Sequence, residues 1–172
     1  MYTDLYKIKL KESGSLSISA RPRGYEWLEN EIIAWRKAGI THVLSLLEKK
    51  ESLNLGLRDE AFFSHEAKMR FTNFCIPDMQ IPNDLNSFID LALNLSHEIQ
   101  SSEWIHIHCR AGIGRSGLMA STILFFLGYE PQEAIDSISK CRKLEIPDTE
   151  EQKLFVLNLP NLIENSSTII SL

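Results

Sequence analysis

The stretch WIHIHCRAGIGRSGLMASTILFFLG, from Trp104 to Gly128, limits the possible folds more than any other part of the chain. Trp104 to His108 alternates apolar and polar residues with the period of a strand, and Ser116 to Leu127 is apolar nearly all round. A helix with no polar face must lie buried in the middle of a domain, and Gly128 stands where it should stop. A strand, a short glycine-bearing loop and a buried helix, in that order, form a unit that needs other elements packed around it.

Those elements are readable on both sides. KIKL (7–10) and SLSIS (15–19) predict a short edge hairpin. Leu28, Ile32 and Trp35 fall at helical spacing between Glu26 and Ala38, with Gly39 placed for a left-handed cap. THVLSLL (41–47) predicts a strand, followed by a charged loop, a helix around Asp59 to Met69 and a strand at RFTNFCI (70–76). After the proline-bracketed loop IPDMQIP, Asn83 or Asp84 can cap a helix whose apolar face is Leu85, Phe88, Ile89, Ala92 and Leu95. Pro131 suits the first turn of another helix, with Ala134, Ile135, Ile138 and Cys141 on one face. A last helix is predicted from about Thr149 to Leu159, and the tail after about residue 160 gets no assignment and is expected to be flexible. The alternation gives an α/β fold, a single domain over 1–172 with a central, mostly parallel sheet of four or five strands flanked by helices.

The loop itself carries chemistry. Glycines at 112 and 114 allow backbone angles closed to other residues, so the amides between Cys109 and Arg115 can turn inward as an anion cradle. The cradle opens at a helix N-terminus, where unpaired amides and the dipole favour negative charge on a bound phosphate and on the Cys109 sulfur. The planar guanidinium of Arg115 can grip two phosphoryl oxygens, and the Ser116 hydroxyl can hydrogen-bond the sulfur as it leaves. Cys75 and Cys141 have Ile81 and Pro147 at the offset where Cys109 has Arg115.

HCRAGIGRS resembles the Cys-x5-Arg-Ser/Thr signature loop of the cysteine-dependent protein phosphatases, and its late position in a chain of this size is similar to the compact dual-specificity branch. The resemblance implies a phosphocysteine intermediate with no metal and no cofactor, and a phosphate loop made of Arg110, Ala111, Gly112, Ile113, Gly114 and Arg115. It implies a general acid as well. Asp78, 31 residues before Cys109 on the IPDMQIP loop, stands at a spacing similar to that of the family's acid. In that scheme Cys109 attacks phosphorus while Asp78 protonates the leaving oxygen, and Asp78 then serves as base for the hydrolytic water. Gln152 resembles a glutamine found after the signature loop in relatives of kinase-associated phosphatase, although Thr149 and Gln152 also fit a helix capping box. His108 is expected to fix the loop and help hold the thiolate.

Other features have plainer readings. The arginines of RPRGYEW (21–27) could reach a substrate phosphate or stay solvated, and Cys75 reads as a small packed hydrophobe or as a redox partner of Cys109. No metal site is expected from His42, His65, His97 and His106. The formal net charge of −5 disfavours nucleic acid and anionic membranes as partners. Three unpaired-looking cysteines, and no signal-like or membrane-spanning run, suit a cytoplasmic protein, expected as a monomer. The expected substrate is a phosphotyrosine protein or peptide, with phosphoserine and phosphothreonine also open. The alternatives are a phosphoinositide or small phosphate ester, a phosphate-binding pseudophosphatase module, and a sulfurtransferase, which has no use for Arg115, Ser116 and Asp78.

Overall fold

The computed structural model describes residues 2–170, with side chains through Glu164. Five strands, β1 (Tyr6–Ile8), β2 (Ser15–Ala20), β3 (His42–Ser45), β4 (Arg70–Asn73) and β5 (Trp104–Cys109), form one sheet in the order β1-β2-β5-β3-β4. Only β1 runs antiparallel, paired to β2 with Tyr6 opposite Ile18, and every other pairing is parallel. β5 lies at the centre, so the loop that follows it leaves the carboxyl end of the sheet's middle strand, where a parallel sheet presents its crevice.

The period of two along β5 and β2 divides the interior. Ile105, Ile107 and Cys109, with Leu16 and Ile18, face a core built by α4 (Leu85–Gln100), α5 (Gly114–Phe126), α6 (Pro131–Arg142) and α7 (Glu150–Leu157). On the other side α1 (Leu28–Ala38) and α3 (Glu60–Glu66) close a smaller core around Ile32, Trp35, Val43 and Met69. α5 is buried from Arg115 to Leu124 and packs between α4, α6 and the sheet, the central placement that its unbroken apolar sequence requires.

The helix ends obey local rules. Gly39 caps α1 at φ 110°, Asp84 accepts from the Ser87 amide to cap α4, and Pro131 opens α6. Three assignments change. The charged segment after β3 contains a short helix, α2 (Lys49–Asn54), whose single apolar residue, Leu53, is exposed, so hydrophobic periodicity does not reveal it. β4 stops at Asn73, which leaves Cys75 exposed beyond it rather than packed as a strand hydrophobe. The chain after α7 turns at Asn158 into α8 (Leu159–Ile170), in the tail that periodicity leaves unassigned. Among the described residues no helix is long and apolar enough to cross a membrane.

Candidate active site

β5 delivers Cys109 to the edge of the larger core with 3% of its surface exposed. The chain then bends through Arg110 to Ile113 and enters α5 at Gly114. Gly112 has φ +68°, and a Cβ there would lie 2.2 Å from the Ser19 carbonyl, so only glycine lets the loop close over the end of β2. In that conformation the Gly112 amide donates to Cys109 Sγ at 3.3 Å. Gly114 is ordinary in backbone angle, contrary to the expectation that it also needs unusual freedom. Its lack of a side chain makes room for Gln152, whose Oε1 would stand 2.8 Å from a Cβ.

The outer wall of the loop is held by a residue that no sequence motif singles out. Arg142, at the end of α6, donates through Nε to the Gly112 carbonyl and through Nη2 to the Ala111 carbonyl, both at 3.1 Å. Its guanidinium lies over the Tyr6 ring, 4.0 Å from the centroid. With these carbonyls anchored outward, the intervening peptides are biased to turn their amides toward the cavity.

Arg115 is buried at 2% exposure and returns over the loop. Its Nη1 donates to Glu51 Oε2 (2.8 Å) and to the Ile76 carbonyl (3.2 Å), while Nη2 meets Glu51 Oε1 (3.0 Å) and Asp78 Oδ1 (2.9 Å). Burial alone would weaken its charge. The Glu51 hydrogen bonds and the negative surroundings of Cys109, Glu51 and Asp78 outweigh that and raise its pKa above the ordinary arginine value. Glu51 sits in α2, the helix that hydrophobic patterning misses, and is the main functional residue that sequence reasoning does not find.

Asp78 and Cys109 line one small cavity of about 130 Å³ together with Met79, Arg110, Ala111, Gly114, Arg115 and Asp148. Thus the structure brings Cys109, Arg115 and Asp78 together. It adds a second carboxylate, Asp148, on the segment before α7. Ser116 is fully buried, and its Oγ has no hydrogen-bond partner in this structure, so the expected bond to sulfur is not formed. Gln152 completes the capping box with Thr149 and also donates from Nε2 to the Gln80 carbonyl at 2.9 Å, joining α7 to the loop that carries Asp78.

His108 departs from expectation. Its ring points away from the loop into the smaller core, where Nε2 is 2.7 Å from Glu60 Oε1, with the oxygen off the N–H axis. His106, two residues back on the same face, lies between the Ser17 hydroxyl (Nδ1, 2.9 Å) and the Ser19 hydroxyl (Nε2, 3.0 Å). Of the RPRGYEW arginines, Arg23 is bound to buried Glu31 and stacks on Trp27, and the Arg21 amide donates to the Arg110 carbonyl. Cys75, Cys109 and Cys141 are all free thiols.

The chain and its fold are similar to known proteins. Residues 13–154 match the family model PTP-SAK, Swiss Army Knife protein, DSP-PTPase phosphatase domain. Protein 197R of Invertebrate iridescent virus 6, whose name assigns it to the tyrosine phosphatases, is 31% identical over 93 residues, covering 52% of this chain and 34% of its own. The matched region thus spans about a third of that viral protein. Kinase associated phosphatase, solved with its catalytic-site cysteine substituted by serine, superposes with a TM-score of 0.86 at 19% identity, covering 94% of this chain and 96% of the other. Tk-PTP in its active form gives 0.69 at 22% identity over 88% and 92% of the two chains, and PTPMT1 in complex with PI(5)P gives 0.71 at 17% over 90% and 96%. With the family match covering most of its length, the chain belongs to the DSP-PTPase family, the compact dual-specificity phosphatases of the cysteine-dependent superfamily.

Proposed function

We propose that this chain is a single-domain phosphomonoester hydrolase acting on phosphotyrosine, and on phosphoserine or phosphothreonine, in proteins or peptides through a phosphocysteine intermediate. The observation that supports this most is the meeting of Cys109, Arg115 and Asp78 in one cavity of about 130 Å³. Cys109 Sγ attacks phosphorus in line; the P–O ester bond breaks, and Asp78 gives its proton to the departing oxygen. Water then attacks the phosphocysteine, Asp78 takes the water's proton, and the P–S bond breaks to return the thiolate and free phosphate. Arg115 and the loop amides from Arg110 to Gly114 hold the equatorial oxygens, where charge is spread in the transition state.

For the dianion to be gripped by Arg115, Asp78 must give up Nη2, which frees the carboxyl for the leaving oxygen. Glu51 can stay in place as the guanidinium's support. Exposed Arg110 at the rim, and the likeness to a structure solved with PI(5)P, favour phosphoinositides as the second substrate class to examine. The deciding experiment is release of inorganic phosphate from p-nitrophenyl phosphate with EDTA present. Vanadate-sensitive turnover that disappears in Cys109→Ser is expected, whereas undiminished turnover in that variant overturns the reading and no turnover in the wild type favours a binding module.

A further inference from the structure

Two residues of the Cys109 cavity, Asp78 and Arg110, also line a larger basin of about 440 Å³, together with Asn54 and Leu55 at the end of α2. The chemistry at the sulfur makes no use of the rest of that basin. Three carboxylates, Glu48, Glu51 and Asp78, stand around it against two cations, Lys50 and Arg110. That balance suits the amides and neutral side chains of a polypeptide better than a second phosphate group.

An exposed ring continues the basin beside Asn54. Tyr25 Oη donates to the Asn54 carbonyl at 3.1 Å, and the Tyr25 amide donates to the Gly56 carbonyl at 2.9 Å. Earlier in the same segment the Arg21 amide donates to the Arg110 carbonyl, which ties the stretch that carries Tyr25 to the rim of the phosphate loop. Tyr25 is 69% exposed and stands at φ 55°, a left-handed conformation that a bulky residue rarely takes. Gly56 leaves the space for it, since a Cβ there would lie 2.6 Å from Cδ2 of the ring. The backbone is thus strained to hold an aromatic ring that neither core uses. A solvated turn residue would not need that angle, and backbone outliers of this kind cluster where ligands are clamped. Held through both its amide and its hydroxyl, the ring loses little freedom when something lies on it.

We infer that Tyr25 is a specificity-determining residue: its ring is a shelf for the polypeptide that flanks the phosphoresidue, and it favours substrates with an aromatic side chain placed to lie on it. This rests on the reading of the Cys109 cavity as the place of the phosphate ester. With the phosphate in that cavity, the chain beside it passes Arg110 and Asp78 into the basin and reaches the ring beyond Asn54. An offset or edge-to-face contact between rings is the interaction that Tyr25 offers there.

Phosphotyrosine peptides test this, with a single phenylalanine moved one position at a time along the flanks of an otherwise glycine–serine sequence, and the parent without phenylalanine as reference. Dissociation constants are read by fluorescence anisotropy on the whole chain carrying Cys109→Ser, so that no turnover intrudes. At one flanking position phenylalanine should tighten binding about fivefold over the parent. Adding Tyr25→Ala should remove that preference, and adding Tyr25→Phe should keep it. Should the alanine variant fail to fold, Tyr25→Gly, which accepts φ 55° without strain, carries the same reading. A preference that survives loss of the ring, equal binding of every peptide, or a phosphoinositide headgroup held as tightly as the best peptide overturns the shelf. Flank preference in a protein whose wild type does not hydrolyse p-nitrophenyl phosphate overturns the hydrolase reading alone, and hydrolysis without flank preference overturns the shelf alone.

Discussion

Arg115 Nη2 lies 2.9 Å from Asp78 Oδ1, so the proposed acid and the proposed phosphate clamp are bound to each other at rest. A phosphate dianion and the Asp78 carboxylate compete for the same donor, and a second carboxylate, Asp148, faces the same cavity. Asp78→Asn should therefore bind vanadate more tightly than wild type while losing about 10²–10⁴-fold in turnover of alkyl phosphates, whose leaving groups need a proton. Turnover of p-nitrophenyl phosphate should fall much less. Inhibition constants and kcat for the two substrate types check both halves, and weaker vanadate binding would contradict the competition.

Glu51 supports Arg115 through two hydrogen bonds, at 2.8 and 3.0 Å. Glu51→Gln keeps an acceptor but removes the charge, and should cost about 1.5–3 kcal/mol, the usual worth of a hydrogen bond to a charged group. Because a bound oxyanion supplies the missing negative charge, vanadate should raise the melting temperature of Glu51→Gln by more than that of wild type. Equal shifts would show that Glu51 does not sustain the clamp.

Acid should destabilise the fold in two stages. His106 is held well below 6.5, first by burial and then by His108, so the unfolded chain takes up a proton that the folded chain refuses. Its contribution is complete above pH 6.5 and is lost progressively as pH falls below that. For Glu51 and Glu98 burial pushes the carboxyl up, yet Arg115 in one case and His42 with Arg70 in the other bring it below the ordinary 4.5. Their contributions are full above 4.5 and fade as pH falls through the folded values. Melting temperature against pH should decline from about 6.5 and steepen near 4.5, and His106→Asn should flatten the upper stage.

The two loop glycines should respond differently to alanine. Gly112→Ala sets a Cβ against the Ser19 backbone at a φ of +68°. Gly114→Ala meets chiefly the end of the Gln152 side chain. The first should lose oxyanion binding and melt earlier, by about 1–2 kcal/mol from backbone strain alone. The second should keep its stability and lose catalytic efficiency only modestly. Vanadate titration and thermal melts of the pair measure the contrast.

Much of this is legible in the chain. Strand period, glycine caps and the unbroken apolar run of α5 place β5, its loop and α5 at the centre, and the cysteine–arginine spacing marks the loop. The misses have physical causes. Glu51 lies on a six-residue helix with no apolar face, and its importance comes from a partner 64 residues away. Arg142 ends α6 and Asp148 follows it in a stretch with no periodicity, and only the close approach of these residues to the start of α5 brings them to the loop. His108 stands visibly beside the sulfur, but which way it faces depends on the register of β5, and its partner Glu60 cannot be named from composition. Gln152 reads from the sequence as either a cap or a site residue. Its side-chain amide serves both, Oε1 accepting from the Thr149 N–H in the cap and Nε2 donating to the Gln80 carbonyl on the acid-bearing loop.

The contact of Arg142 with Tyr6 has a bearing on how the protein comes into being. The signature is contiguous, but the wall that supports it joins a strand near the start of the chain to the end of a helix more than a hundred residues later. Tyr6 also precedes the segment 13–154 that defines the family match. During synthesis the cysteine and arginine emerge ahead of Arg142, which braces their loop. The support of the loop thus arrives only with α6, and a chain cut short before α6 would carry the signature without its brace.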